Sequence, residues 1–233
     1  MPVLPINSAN KNIQIPVSET SFGHGKNTDN YYSKKQKALV ATTTALGVIA
    51  STAILAKSAK YSLKPSKMFK NISKSYLANV KFTEKEVISI GAGSCLGGLI
   101  GGYMIDKDPL NRRAKRREAL MQIGNISIPI LTVEGASKLA KNASKPVKTL
   151  SAICGLIVGV YVANLLMNML SNVLFENTKS RGVKATDFSA HVDDMVVAAN
   201  YISDAKFVHY IARIIPLALM FAGNEVGTKT ANK

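Results

Sequence analysis

Tryptophan is absent from the 233 residues, aromatic residues make up only 6%, and there are just two cysteines. Cys95 and Cys154 both lie in apolar stretches, where a thiol usually acts as a small hydrophobic group, so no disulfide framework is indicated. Acidic residues are also scarce, because 14 Asp and Glu stand against 30 Lys and Arg. The resulting net charge of +16 predicts an anionic partner, either lipid headgroups or nucleic acid.

Motifs that carry chemistry are missing as well. The sequence contains no nucleophile motif, phosphate-binding loop or HExxH pattern, so we expect no enzyme activity and no cofactor. The glycines at 91 and 93 follow a short apolar run, as in the dinucleotide-binding fingerprint, but Leu96 stands where that fingerprint needs its third glycine. A nucleotide site is therefore not favoured.

A metal site could be built from residues that share one face of a predicted helix, namely Asp187, His191 and Asp194. Their spacing of i, i+4 and i+7 would present two carboxylates and an imidazole together. Short polar residues on a solvated helix face give the same spacing. We therefore predict no metal.

Long uncharged stretches are what the sequence has instead. Residues 38–56, 87–105 and 150–175 contain no charged side chain, and as helices each would be roughly 28 Å or longer, about the hydrocarbon thickness of a bilayer. Two weaker apolar segments are 207–223 and 119–133, and whether the latter spans is uncertain. The predicted fold is all-α: a multi-span helical membrane protein with about four to five apolar helices.

Polar and amphipathic segments surround this membrane domain, which we place at 38–223. Residues 1–37 are predicted to be a disordered polar tail, and 224–233 a polar C-terminal tail. Segments 65–82 and 187–204 carry apolar residues at helical spacing with polar residues beside them, which is typical of helices in a membrane interface. For 65–82, a surface helix packed on a protein core is an equally good interpretation.

Basic residues crowd next to the apolar segments. Asp108 followed by Pro109 predicts the start of a helix that carries a dense basic collar. Beside a membrane segment, such residues contact anionic headgroups more readily than nucleic acid. The headgroup-contact candidates are Lys67, Lys70, Lys74, Arg112, Arg113, Lys115, Arg116 and Arg117.

Glycines recur at the four-residue spacing of close helix packing, with one ridge at 93, 97 and 101 and a second at 98 and 102. Each internal glycine costs roughly 1 kcal/mol of helix propensity, so a run of them implies a packing purpose. The partner is either another helix of the chain or a second copy, giving a homo- or hetero-oligomer. The predicted packing residues are Gly93, Gly97, Gly98, Gly101, Gly102, Gly155 and Gly159.

Four polar residues fall inside apolar stretches. Asn164, Asn168 and Asn172 recur every four residues on one helical face, and Arg213 lies in the last apolar segment. Amides in a membrane either form hydrogen bonds across a helix interface or line a polar pathway. Arg213 either takes part in that pathway or extends to the membrane surface.

Three classes of function follow. The leading expectation is a non-enzymatic, structural or assembly protein of a bacterial-type inner membrane, with anionic lipid as its partner. The second is a small-solute transporter or pore lined by the asparagine face and Arg213. The third is a soluble, basic α-helical binding protein whose apolar segments are core helices.

Overall fold

The computed structural model describes residues 31–60, 83–175, 180–183, 187–188, 191 and 215–231. These residues form five α-helices and no strand, so the all-helical class is confirmed for them. The helices are α1 (Lys34–Ser58), α2 (Glu84–Ile105), α3 (Pro109–Leu139), α4 (Lys145–Phe175) and α5 (Ile215–Thr228).

Three of these helices, α1, α2 and α4, are long and apolar enough to cross a membrane. The expected number of four to five apolar helices is not confirmed. Other expectations fall outside the described residues: the first 30 residues of the N-terminal tail, the 65–82 helix with Lys67, Lys70 and Lys74, most of 187–204, and Arg213.

Helix starts follow local capping chemistry. The Ser33 hydroxyl accepts a hydrogen bond from the Gln36 backbone N–H, and the Gln36 side chain accepts one from the Ser33 N–H. Asp108 caps α3 by accepting from the Leu110 N–H at 2.9 Å, and Pro109 occupies the first helical position. The helix start predicted at Asp108 and Pro109 is confirmed.

Several predicted boundaries differ from the structure, and the predicted tail 1–37 overlaps α1, which begins at Lys34. The segment 119–133 is not a separate element but belongs to the single 31-residue helix α3. The boundary at Gly223 lies inside α5, where Val226 is fully buried, and the Ala231 N–H donates to the Asn111 side chain at 2.8 Å. Residues 224–231, predicted as part of a polar C-terminal tail, are therefore packed on the bundle, because the buried face of α5 continues through Val226 and Gly227.

All five helices run between two ends of one bundle. At the upper end α1 and α3 begin, while α2, α4 and α5 finish; the Gln36 side chain reaches the Ile105 carbonyl there. Consequently α2 is antiparallel to α1 and parallel to α5, and α3 is antiparallel to α4. An apolar cluster that includes Ile90, Ile126 and Leu219 joins α2, α3 and α5.

Candidate functional site

The first glycine ridge of α2 lies against α1. An added Cβ at Gly93 would lie 2.6 Å from the Ser51 hydroxyl oxygen, and one at Gly101 would lie 3.0 Å from the Val40 Cα. Gly97 meets the backbone of α1 in the same way. Side chains at these positions would push the two helices apart.

The second ridge lies against α5, which makes α2 the middle helix of three. An added Cβ at Gly98 would lie 3.0 Å from the Gly223 Cα, and one at Gly102 would lie 2.9 Å from the Gly227 Cα. Sequence reasoning overlooked Gly223 and Gly227, although their four-residue spacing was visible. Both ridges of α2 thus have partners within the chain.

Glycines also bring α3 and α4 together. A Cβ at Gly159 would lie 2.6 Å from the Pro129 Cα, and one at Gly155 would lie 3.1 Å from the Val133 Cα. The Thr132 hydroxyl donates a hydrogen bond to the Gly155 carbonyl at 2.9 Å. The two helices therefore approach closely midway along their length.

Above this contact, α3 turns a polar stripe inward. Five side chains spaced alternately four and three residues apart share one helix face, and none is more than 3% exposed: Asn111, Lys115, Glu118, Gln122 and Asn125. Polar residues in this number are seldom so buried unless they bind one another. They form the interior of the upper half of the bundle.

An ion-pair cluster, comprising Glu118, Arg181, Asp187 and Lys229, lies at the middle of this stripe. Arg181 binds Asp187 through two nitrogens at 3.0 and 2.6 Å, and its Nη2 lies 3.2 Å from Glu118. Lys229 approaches the other oxygen of Glu118 at 3.5 Å. Each buried carboxylate thus lies beside a cation, which is how buried ions are tolerated in a low-dielectric interior.

Asn168 positions the arginine of this cluster. Its side-chain oxygen accepts from the Arg181 backbone N–H, and its amide nitrogen donates to the Arg181 carbonyl, both at 2.8 Å. Of the other asparagines on this face, Asn164 is half-buried and Asn172 is exposed. The predicted asparagine face is thus divided, and its buried member holds the chain that follows α4.

A proline in α3 explains how the segment that follows α4 is bound at a second point, nearer the lower end of the bundle. Pro129 has no N–H, so the carbonyl of Asn125, four residues earlier, loses its helical hydrogen bond. The Nε2 of His191 lies 2.7 Å from that carbonyl oxygen and is placed to donate to it. Asp187 and His191 therefore bind protein groups, and no cluster of three potential metal ligands occurs among the described residues.

A third group of polar side chains, at the upper end, joins Tyr32, Asp106 and Lys115. The Tyr32 hydroxyl donates to Asp106 at 2.6 Å, and the Lys115 ammonium donates to Tyr32 at 2.6 Å and to the Lys229 carbonyl at 2.5 Å. Asp106 lies 3.4 Å from that ammonium. We call Tyr32, Asp106 and Lys115 the end cluster; it ties the residues before α1 to α3 and to the C-terminus.

All three groups of the end cluster have shifted pKa values. That of Lys115 is lowered, chiefly because burial disfavours its charged form. Burial raises the pKa of Tyr32, and its hydrogen bond to Asp106 raises it further. Burial alone would raise the pKa of Asp106, but hydrogen bonds from Tyr32 and from the Asp108 N–H, with the nearby charge of Lys115, bring its pKa below the usual value. Over the neutral range the phenol is thus protonated and the carboxylate ionised.

The predicted basic collar is split by the structure. Lys115 is fully buried in the end cluster, so its assignment as a headgroup contact is wrong. Arg112 donates to the Tyr103 and Asp106 carbonyls at 3.2 and 3.0 Å. Arg117 donates to the Ser171 hydroxyl at 2.7 Å, whereas Arg113 and Arg116 are exposed.

The outer surface of the bundle has the opposite character. Large apolar side chains point outward from α1, α2 and α4, with exposed fractions of 66% at Ile54, 58% at Leu96 and 62% at Leu165. An apolar groove of about 580 Å³ runs between α1 and α2 on that surface. Sequence patterns located the apolar stretches but not the direction in which their residues face.

Comparisons of the chain with protein-family models, with curated proteins and with solved structures found no match, so the site's geometry has to carry any functional conclusion.

Proposed function

We propose that the chain is a non-enzymatic integral membrane protein whose polar interior locks a helical bundle together inside the bilayer. The net charge of +16 suits the anionic phospholipids of a bacterial-type inner membrane, which is the bilayer we expect. In this proposal α1, α2 and α4 cross the membrane, and α3 and α5 run beside them within its thickness. Its role is structural: to present a stable, lipid-anchored assembly.

The observation that carries the proposal is the reversed distribution of polarity. Charged side chains such as Glu118 and Asp187 are 2% and 0% exposed, while Ile54 and Leu165 are mostly exposed. A water-soluble protein of this size seldom exposes apolar surface so continuously along three helices. In lipid the same arrangement is favourable, because apolar side chains face hydrocarbon and polar groups bind one another inside.

The polar interior supports a structural role more directly than a pore. The oxygen and the nitrogen of the Asn168 amide are both hydrogen-bonded to the backbone of Arg181, and Asn172 lies on the outer surface. The interior ions are arranged in pairs. Such an arrangement holds the connector after α4 against α3 and α4, as Val183 and Phe188 do by packing on the apolar cluster below.

One observation favours a second candidate, the passage of a small polar solute or ion. Asn125 is 1% exposed, and neither side-chain atom of its amide has a hydrogen-bond partner among the described residues. A buried amide of this kind could bind a solute in transit. Flux into proteoliposomes that disappears in Asn125→Leu, with assembly unchanged, would favour transport; absence of flux in the wild type would remove this candidate.

The two cysteines give a direct test of the leading proposal. Cys154 is exposed on α4 about 14 Å from the start of that helix, and Cys95 is buried in α2. In membranes washed with alkaline carbonate, we expect the protein in the pellet and Cys154 protected from a membrane-impermeant maleimide. After denaturation in SDS both thiols should react.

The buried cysteine is the internal control, because Cys95 is shielded by protein whether the surroundings are lipid or water. The single-cysteine variants C95A and C154A separate the two signals. Rapid labelling of Cys154 in intact membranes, or recovery of the chain in the carbonate supernatant, would overturn the proposal. A dispersed monomer in buffer without detergent would point to the soluble binding protein.

A further inference from the structure

The basic residues at the start of α3 divide by direction. Lys115 is buried, and Arg112 and Arg117 are half-buried. Arg113 and Arg116 are one helical turn apart and are both exposed. Of the five, these two are therefore the most accessible from outside the bundle.

These two arginines face an apolar wall. Because α3 begins where the antiparallel α4 ends, Arg113 and Arg116 lie beside Leu174 and Phe175, and the four side chains line an open cleft of about 440 Å³. Leu174 is 58% exposed and continues the apolar outer surface of α4. The cleft thus combines two cations with hydrocarbon at the place where the longest apolar helix finishes.

We propose that this cleft is a binding site for one anionic phospholipid, with its phosphate on Arg113 and Arg116 and its glycerol and acyl chain along Leu174 and Phe175. Guanidinium groups match phosphate oxygens with paired hydrogen bonds. A free phosphate ion would use the arginines but leave the apolar wall without a role. This inference rests on the proposed membrane location and goes beyond it by assigning a discrete site.

The test uses the full-length chain purified in a non-ionic detergent. Retention of short-chain phosphatidylglycerol, with phosphatidylcholine as the zwitterionic comparison, is measured by native mass spectrometry and by titration. We expect one tightly held phosphatidylglycerol per chain. Replacing both arginines, in R113Q/R116Q, should weaken its binding by about thirtyfold, since each basic residue near a headgroup contributes about 1 kcal/mol.

The matched control removes the same number of positive charges, two, at the lower end of the bundle. Lys141 and Lys145 are exposed there, and K141Q/K145Q has the same net charge as R113Q/R116Q. Equal losses in the two double variants would show unspecific attraction to anionic lipid and would overturn a discrete site. Loss confined to R113Q/R116Q supports it.

A second variant separates lipid from free phosphate. Leu174→Asn keeps the arginines but removes part of the apolar wall, so it should weaken phosphatidylglycerol binding and leave binding of inorganic phosphate unchanged. If inorganic phosphate competes fully with the lipid and Leu174→Asn has no effect on either, the site binds a phosphate group alone and the lipid assignment is wrong.

Failure of this inference differs from failure of the proposed function. Both double variants should stay in the carbonate-washed membrane pellet, because neither changes the apolar helices. A chain that is carbonate-resistant but retains no phosphatidylglycerol contradicts only the lipid site. A chain released by carbonate contradicts the membrane location whatever it retains.

Discussion

Two regions of this molecule are held together by different means. In the α1–α2–α5 region, glycines bring backbones into contact, as Gly98 of α2 does with Gly223 of α5. In the region of α3, α4 and the connector, long polar side chains meet inside, as Glu118 and Arg181 do. The first region depends on the absence of side chains, whereas the second adds paired charges to the glycine contacts between α3 and α4.

The difference lies in how each region responds to change. Close backbone contact between helices is stabilised by many weak van der Waals interactions, and these are lost when a larger side chain separates the helices. A buried ion network depends on completeness, because removing one member leaves its partner charged and unsolvated. The following variants test this difference between the two regions. For each, the free energy of unfolding is measured by reversible unfolding in mild detergent, monitored by circular dichroism.

The largest effect is expected for Arg181→Met, which removes the guanidinium shared by Glu118 and Asp187. Two buried carboxylates would then face each other, and breaking a buried pair costs about 3–5 kcal/mol of unfolding free energy. The control is Lys138→Met, since Lys138 pairs with Glu134 on the surface and is 73% exposed. Similar losses in both variants would contradict a special role for the buried cluster.

Next in size is Gly98→Leu, which tests the glycine-packed region. The new side chain meets the backbone of Gly223, which cannot rotate away, so α2 and α5 must separate at a cost of about 2–3 kcal/mol. At Gly135 in α3 an added Cβ meets nothing within 4 Å, so Gly135→Leu is the control. A tolerated Gly98→Leu would mean that the two helices are not in backbone contact.

A smaller effect is expected where the two means of packing meet, at Pro129 and His191. His191→Leu leaves the Asn125 carbonyl without a partner and should cost about 1–2 kcal/mol. Pro129→Ala restores the helical N–H, so His191→Leu should cost less in that background. Equal costs in both backgrounds would show that His191 does not serve the carbonyl freed by the proline.

The smallest effect is expected for Tyr32→Phe in the end cluster, about 1 kcal/mol near neutral pH. The raised pKa of Tyr32 stabilises the fold below its ordinary pKa of 10.0, and this contribution is lost as pH rises beyond it. The lowered pKa of Asp106 stabilises the fold above its ordinary 3.8, and this is lost as pH falls through the folded value.

The stability difference between wild type and Tyr32→Phe should therefore be largest between about pH 4 and pH 10 and should narrow on both sides. Measurement of unfolding across that range gives the profile. A difference that does not vary with pH would show that the hydroxyl contributes packing alone.

Much of the fold could be predicted from the sequence, because its signals are local. Uncharged runs long enough to form a spanning helix mark α1, α2 and α4, and the pair Asp108 and Pro109 marks the start of α3. Whether 119–133 spans stays uncertain from the sequence, and the structure places Gln122 of that segment on the buried polar stripe of α3. Periodicity shows that residues share a face, but not whether that face points inward or outward.

The candidate site was only partly visible for the same reason. Asn168 was singled out, yet its partner Arg181 comes from a connector with no apolar pattern to place it. Lys115 was grouped with its basic neighbours, since nothing in the sequence shows that Asp106 and Tyr32 enclose it. Long-range pairs of this kind depend on how helices are arranged.

By itself, the sequence determined which long stretches are apolar, where one helix is capped, and which glycines of α2 and α4 can take part in close contact, because these properties depend on residues a few positions apart. Only the tertiary structure decided that α2 packs between α1 and α5, that the polar face of α3 is interior, and that Arg113 and Arg116 are the exposed members of the basic collar. These features depend on the burial and pairing of side chains that are distant in the chain, and such interactions form only when the helices pack together.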